Sequence, residues 1–213
     1  MSFTDKLIAM KVLKFNEGEL SIFGIPGFIF MANTVGILNH NMEKRFGKDG
    51  IDLIYLLGKH QAYMGSSAFL GKYGYRKDLN SFNMVIKQSE MIGQGKSEIL
   101  KFDQKNKILI LKNLNSPVAK TIRGLYGIQK KPVCDFYRGA TTGCFQAMFD
   151  EKNDFLGIET KCIAKGDPHC VIEVREITSW GKDNHLVKEQ SPKESPENEE
   201  FSKFTLNNIL KPS

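Results

Sequence analysis

The sequence predicts an α+β fold, in which an antiparallel sheet built from hairpins packs against several helices. Two observations carry this. Runs of strand-forming residues pair around short polar turns three times along the chain. Between them lie stretches with apolar residues at every third or fourth position, the spacing of one helix face. The chain has 213 residues, of which 41% are hydrophobic and 25% charged. That balance gives interior enough for one large core and excludes a wholly disordered, collagen-like or coiled-coil protein.

Taken in order, Met10 to Phe15 and Leu20 to Phe23 flank the turn Asn16-Glu17-Gly18-Glu19 and read as a first hairpin. Gly24-Ile25-Pro26-Gly27 reads as a turn leading into a helix. Met31, Val35, Leu38, Met42 and Phe46 mark that helix's apolar face, and Gly47 ends it. Ile51 to about Tyr73 forms a second helix on the same pattern, although Gly58 and Gly65 each cost about 1 kcal/mol relative to Ala unless a close neighbour needs the missing side chain. Leu79 to Ile92 gives a third.

A second hairpin follows, Ser97 to Phe102 and Lys107 to Lys112 around Asp103-Gln104-Lys105-Asn106. Ser116-Pro117 opens a short helix or loop. Pro132 stands at a plausible first helical position, and Val133 to Phe149 continues as a helix carrying Gly139, Gly143 and Ala147 at four-residue spacing, a stripe that permits close backbone approach. Phe155 to Ala164 and Cys170 to Ile177 form the third hairpin.

Residues 1–180 are therefore expected to be a single domain. Residues 181–213 are expected to be a flexible tail, polar and twice Ser-Pro, with a short apolar end at Phe201, Phe204, Ile209 and Leu210. The longest apolar stretches, Phe28 to Ala32 and Leu53 to Leu57, have five residues each, far below the roughly 20 of a transmembrane helix. No secretory signal is recognisable at the N-terminus, so the expected location is cytoplasmic. Thirty basic against 24 acidic side chains leave a net charge of +6. The excess is scattered, and no basic helix or aromatic ribbon accompanies it, so no specific nucleic acid is expected as partner. Gly95-Lys96-Ser97 lacks the first glycine of a phosphate loop, and neither His40 nor His60 has a nucleophile beside it.

All four cysteines, Cys134, Cys144, Cys162 and Cys170, fall between positions 134 and 170. Cys162 and Cys170 lie on either side of a turn, close enough to share a metal or a disulfide, and a reducing compartment favours the metal or inert thiols. Cys134 at the start of a helix is placed for thiolate character. Glu159 is the candidate fourth ligand. It stands three residues before Cys162, so strand alternation puts the two on opposite faces unless a bulge intervenes near Gly157. His169, next to Cys170, is the alternative to Glu159. Cys144, outside the pattern, reads as a small packed hydrophobe.

Pro132-Val133-Cys134, the Gly139 and Gly143 helix, Glu159-Thr160-Lys161-Cys162 and Gly166-Asp167-Pro168-His169-Cys170 resemble the 4-vinyl reductase domain family, most strongly over residues 132–175. That family shares its fold with TRAPP-complex subunits, with the ligand-binding modules of nitric-oxide signalling and Golgi transport, and with the sensory domains of phenol-responsive transcription activators. The resemblance implies a homodimeric, TRAPP-like ligand-binding fold holding a small apolar or aromatic molecule or a lipid. It also implies a structural zinc on Cys134, Glu159, Cys162 and Cys170. A closed four-ligand zinc has no open position for a reacting water, so a non-enzymatic binding or sensory role is expected. A protein-interaction scaffold of the TRAPP-subunit type is the alternative, and an accessory role in tetrapyrrole reduction is suggested only by the family's name. The phenol sensors' ligand-contacting His and Trp have no match here, since the single Trp, Trp180, follows the last strand.

Overall fold

The computed structural model describes residues 13–22, 25–27, 31–149, 154–181 and 183–193. The apolar C-terminal end and the start of the first hairpin lie outside these. Helices and antiparallel sheets together make the α+β architecture expected from the sequence.

The chain opens with β1 (Leu13–Asn16) and β2 (Glu19–Ile22). Glu17 and Gly18 both take positive φ, 47° and 89°, as in the primed turns that match strand twist. Residues 25–27, expected to be a turn, instead form β3 (Ile25–Gly27), antiparallel to β2. Then comes α1 (Ala32–Lys72), which joins the two helices expected from the sequence. Their boundary survives as a break at Gly47, with φ 58° and ψ −132°. A Cβ at Gly50 would meet the Met42 carbonyl, so the chain turns tightly on itself there.

Next is α2 (Leu79–Met91), capped by Asp78, whose carboxylate accepts from the Ser81 N–H at 2.9 Å. It buries Phe82, Val85 and Ile86. A four-stranded antiparallel sheet follows in the order β4-β5-β7-β6, made of β4 (Ser97–Asp103), β5 (Ile108–Asn113), β6 (Phe155–Lys161) and β7 (Cys170–Glu176). Between the second and third of these in sequence run α3 (Pro117–Tyr126), with Ser116 as cap and Pro117 in the first turn, and α4 (Asp135–Gln146). Pro132 thus lies outside α4, which starts later and stops earlier than expected.

The core sits between α2, α4 and the sheet. There the Phe145 ring meets Phe82, Phe102, Phe149 and Phe155 with centroids 5.0–5.9 Å apart, distances at which edge-to-face aromatic pairs are favourable. Along the other side of α4 runs α1, and here the glycines matter. A Cβ at Gly58 would land on the Phe136 carbonyl, one at Gly139 on the Tyr55 carbonyl and one at Gly143 on the Lys59 carbonyl. Three glycines on two helices thus let backbone touch backbone.

One edge of the larger sheet, β6, has no strand beside it among the described residues. Side chains take the place of one. Lys59 Nζ donates to the Phe155 carbonyl at 2.9 Å, Gly157 N–H donates to Tyr55 Oη at 3.3 Å, and Arg138 donates to the Gly157 carbonyl at 2.8 Å. The Gln190 amide then pairs with both backbone groups of Glu159, accepting from its N–H at 2.8 Å and donating to its carbonyl at 3.0 Å.

That last contact alters the expected domain limit. The sequence places a flexible tail from residue 181, yet residues 185–190 form α5 (His185–Gln190), capped by Asn184 on the Leu186 N–H at 3.0 Å. Leu186 and Val187 pack with Trp180 over Leu156 and Ile158. A polar composition hid this because the segment is held by two apolar residues, a buried amide and polar contacts rather than by an apolar face.

Candidate metal centre

Cys134 is the residue that caps α4 from the N-terminal side. Glu159 comes from the end of β6, Cys162 from the turn just after it, and Cys170 from the start of β7. Four ligating atoms, one from each residue, lie within 4.8 Å of one another, and all four residues are buried. The Cys134 and Cys170 sulfurs are 3.8 Å apart, and all four cysteines are free thiols. His169 does not belong to this group.

The bulge that brings Glu159 and Cys162 to one side lies at Thr160, not near Gly157. In the ladder Glu159 pairs with Ile172 but Lys161 pairs with Val171, so one extra residue is inserted between them and the alternation is reset. Gly157 serves a different purpose: a Cβ there would meet Thr142 Oγ1 and come within 3.2 Å of the Arg138 carbonyl. No sequence signal separates these two positions.

Hydrogen bonds order the group. Cys134 N–H donates to Glu159 Oε2 at 3.0 Å, Ile163 N–H donates to the Cys170 sulfur at 3.4 Å, and Cys162 N–H donates to Asp167 Oδ2 at 2.8 Å. Ser116 Oγ lies 3.4 Å from the Cys134 sulfur. The Cys134 and Cys170 thiols, helped by the N–H groups of Val133 and Ala164, hold the Cys162 thiol far below its ordinary value, with burial opposing. Cys134 is raised by its bonds to Cys162 and Cys170 and by burial. The Cys134 bond lowers Cys170, but the bond to Cys162, burial and the charges of Glu159 and Cys162 carry it up. Burial, followed by the charge of Cys162, raises Glu159 well above the usual carboxylate range. Its second oxygen, Oε1, is buried with no hydrogen-bond partner among the described residues.

Around the group lies a layer that sequence reasoning missed. Arg138, 1% exposed, donates to Asp135 Oδ1 at 3.1 Å, to the Gly157 carbonyl and to the Gln190 carbonyl at 2.9 Å, and its guanidinium sits 4.1 Å from the Tyr55 ring centre. Asn39 donates to the Val133 carbonyl at 2.6 Å. The arginine is one residue before the glycine stripe, and an Asp135/Arg138 pair at i, i+3 on an otherwise uncharged helix was the signal available. Cys144 is elsewhere in the core, accepting from Ser66 Oγ at 3.4 Å. Gly58, which weakens a helix unless a close neighbour needs the missing side chain, has that neighbour in α4.

A hollow of about 480 Å³ opens where the end of α1 meets the end of α4, lined by Tyr63, Leu70, Tyr75, Lys77, Ala147 and Phe149. No helix among the described residues is long and apolar enough to cross a membrane.

Residues 118–176 match the 4-vinyl reductase domain. The uncharacterized protein MJ1460 of Methanocaldococcus jannaschii is 27% identical over 132 residues, 62% of this chain and 75% of that protein. Among solved structures, the chain is similar to the phenol-responsive sensory domain of the transcription activator PoxR, solved with phenol. The TM-score is 0.75 at 20% identity, covering 91% of this chain and 100% of that one. At that identity the likeness is one of fold. A trafficking protein particle complex subunit 3 from Naegleria fowleri, solved covalently bound to palmitic acid, aligns with a TM-score of 0.49 at 12% identity, covering 68% and 94%.

Proposed function

For this chain, which carries a 4-vinyl reductase domain over residues 118–176, we propose a non-enzymatic small-molecule or lipid-binding sensory module, clamped by a structural zinc on Cys134, Glu159, Cys162 and Cys170. The buried cluster of three thiols and one carboxylate is the observation that carries it. With protons alone, a carboxyl oxygen left without a partner beside three sulfurs is costly. A divalent cation removes that cost. Zinc–thiolate bonds of about 2.3 Å in a tetrahedron put sulfurs about 3.8 Å apart, and the Cys134 and Cys170 sulfurs stand 3.8 Å apart. Three sulfurs and an oxygen suit zinc rather than magnesium or calcium. All four donors come from the protein, so the ion's chemistry is to tie the start of α4 to the last hairpin.

The binding part of the reading rests on the PoxR-like fold and on the hollow beside Phe149, whose volume falls in the range of small-molecule sites. Its aromatic lining suits a small apolar or aromatic molecule or an acyl chain, with Lys77 at the rim. A cytoplasmic homodimer is part of the proposal, with the exposed apolar residues Ile37, Leu38, Leu53 and Leu57 of α1 as the contact face.

Native mass spectrometry of the purified protein reads all of this together: one zinc per chain, a dimer mass and a retained small ligand. Cys162→Ser should lose the zinc and destabilise the last hairpin, because binding energy is then folding energy. Cys144→Ser should keep both. Equal zinc in the wild type and Cys162→Ser would overturn the metal reading. A dimer with a stable protein partner and no small ligand would favour the scaffold.

A further inference from the structure

We infer that Gln190 is a positioning residue for this centre, and that its amide makes loading of the metal and docking of residues 184–193 one linked event. The inference rests on the metal reading above.

Glu159 is weakly placed by the sheet itself. It lies on the outer edge of β6, where its N–H and carbonyl face no strand among the described residues, and the Thr160 bulge interrupts the ladder immediately after it. Both of its backbone groups are held by one side chain, the Gln190 amide, at 2.8 and 3.0 Å. That amide does for Glu159 what a neighbouring strand would do, and so sets where the carboxylate enters the thiol group. The same residue reaches the opposite wall. Its main-chain carbonyl accepts from Arg138, which holds Asp135, the residue after Cys134. Gln190 therefore spans the two elements that the metal would tie together.

The rest of the segment is fastened to α1. Ser191 offers its carbonyl to Lys48 Nζ at 2.5 Å, Lys193 N–H donates to Asp52 Oδ2 at 2.9 Å, and Lys193 Nζ meets Asp49 Oδ1 at 2.7 Å. These contacts are polar and, apart from Gln190 and Asp52, partly open to solvent. The segment's apolar hold is Leu186 and Val187 over Leu156 and Ile158, so its release uncovers that small cluster and leaves the main core between α2, α4 and the sheet in place. If docking it improves the placement of Glu159, then by reciprocity a metal on Glu159 strengthens the docking by the same factor.

Zinc affinity, measured by competition with a chromophoric chelator, and the visible spectrum of the cobalt-substituted protein test this in the full chain. Gln190→Met fills the same volume without the amide. It should lower zinc affinity about 10- to 100-fold, the usual effect of removing a partner that orients a ligand, and shift the cobalt bands toward those of Glu159→Gln. A purely structural role would lower the melting temperature and leave affinity and spectrum at wild-type values, which overturns the inference alone. In the wild type, stripping zinc should speed hydrogen exchange in residues 184–193, and unchanged protection there would also overturn it. If the wild type takes up no zinc, the metal reading falls and takes this inference with it.

Discussion

Alanine at Gly58 and alanine at Gly65 should change stability in opposite directions, although both lie within α1. In a helix interior Ala is favoured over Gly by about 1 kcal/mol. Around Gly65 there is nothing within 4 Å of where a Cβ would stand, so Gly65→Ala should gain about 0.5–1 kcal/mol. At Gly58 the new methyl would land on the Phe136 carbonyl oxygen, with the carbonyl carbon at 3.0 Å and the Ala140 nitrogen at 3.1 Å. All three are backbone atoms of α4, and none can rotate away. Relief requires the two helices to part and loosen the Gly139 and Gly143 contacts as well. Overpacking of this kind costs about 3 kcal/mol, and the helix preference offsets about 1, leaving Gly58→Ala near 2 kcal/mol less stable. In a chain of this size that is a fall of about 4–8 °C in melting temperature. Urea unfolding with matched slopes, together with thermal melts, measures both variants. A Gly58→Ala protein as stable as the wild type would refute backbone contact between α1 and α4. A Gly65→Ala protein that loses stability would show that something outside the described chain covers that face.

Two further outcomes follow from the buried charges. Arg138→Met should cost about 3–5 kcal/mol in chemical denaturation, because it leaves Asp135 buried without its cation and removes a donor from two carbonyls. Arg138→Lys should rescue little, since one ammonium cannot reach three acceptors, and a loss below about 1 kcal/mol in Arg138→Met would count against the network. For His60, burial and then the charge of Lys59 push the imidazole down to about 4, with Asp154 opposing. The unfolded chain therefore takes up the proton first, and stability present above pH 6.5 should be lost as the pH falls toward 4. The group is partly exposed, so the expected loss is about 1–2 kcal/mol. His60→Gln should flatten the dependence between about pH 7 and 5, and an unchanged profile would remove His60 as its cause.

The fold class and most elements were legible because the signals were local. Periodicity marked α2, polar turns marked the hairpins, and Gly47 marked the break within α1. The four clustered donors were legible through the family resemblance, in the Pro-Val-Cys start at Cys134 and the Glu-x-x-Cys run, whereas strand alternation alone set Glu159 and Cys162 on opposite faces. What escaped was set by three-dimensional neighbours. The bulge at Thr160 depends on where β7 pairs, and nothing in Glu159-Thr160-Lys161 announces it. The lowering of the Cys162 thiol is set by which sulfurs donate to it. Gln190 was hidden in a polar segment, where one buried amide takes the role usually attributed to apolar residues.

The β6 edge also bears on how the protein behaves at high concentration. Lys59, Tyr55, Arg138 and Gln190 occupy the backbone groups through which a strand from another molecule would join. The opposite edge, β4, has only β5 beside it among the described residues. It shows solvent Glu98, Leu100 and Lys101 and is kinked between Ile99 and Lys101, two devices that discourage pairing without preventing it. Strand-by-strand aggregation of the folded protein would therefore have a polarity. It would nucleate on β4 and stop at β6, giving capped pairs rather than fibres for as long as those four side chains stay in place.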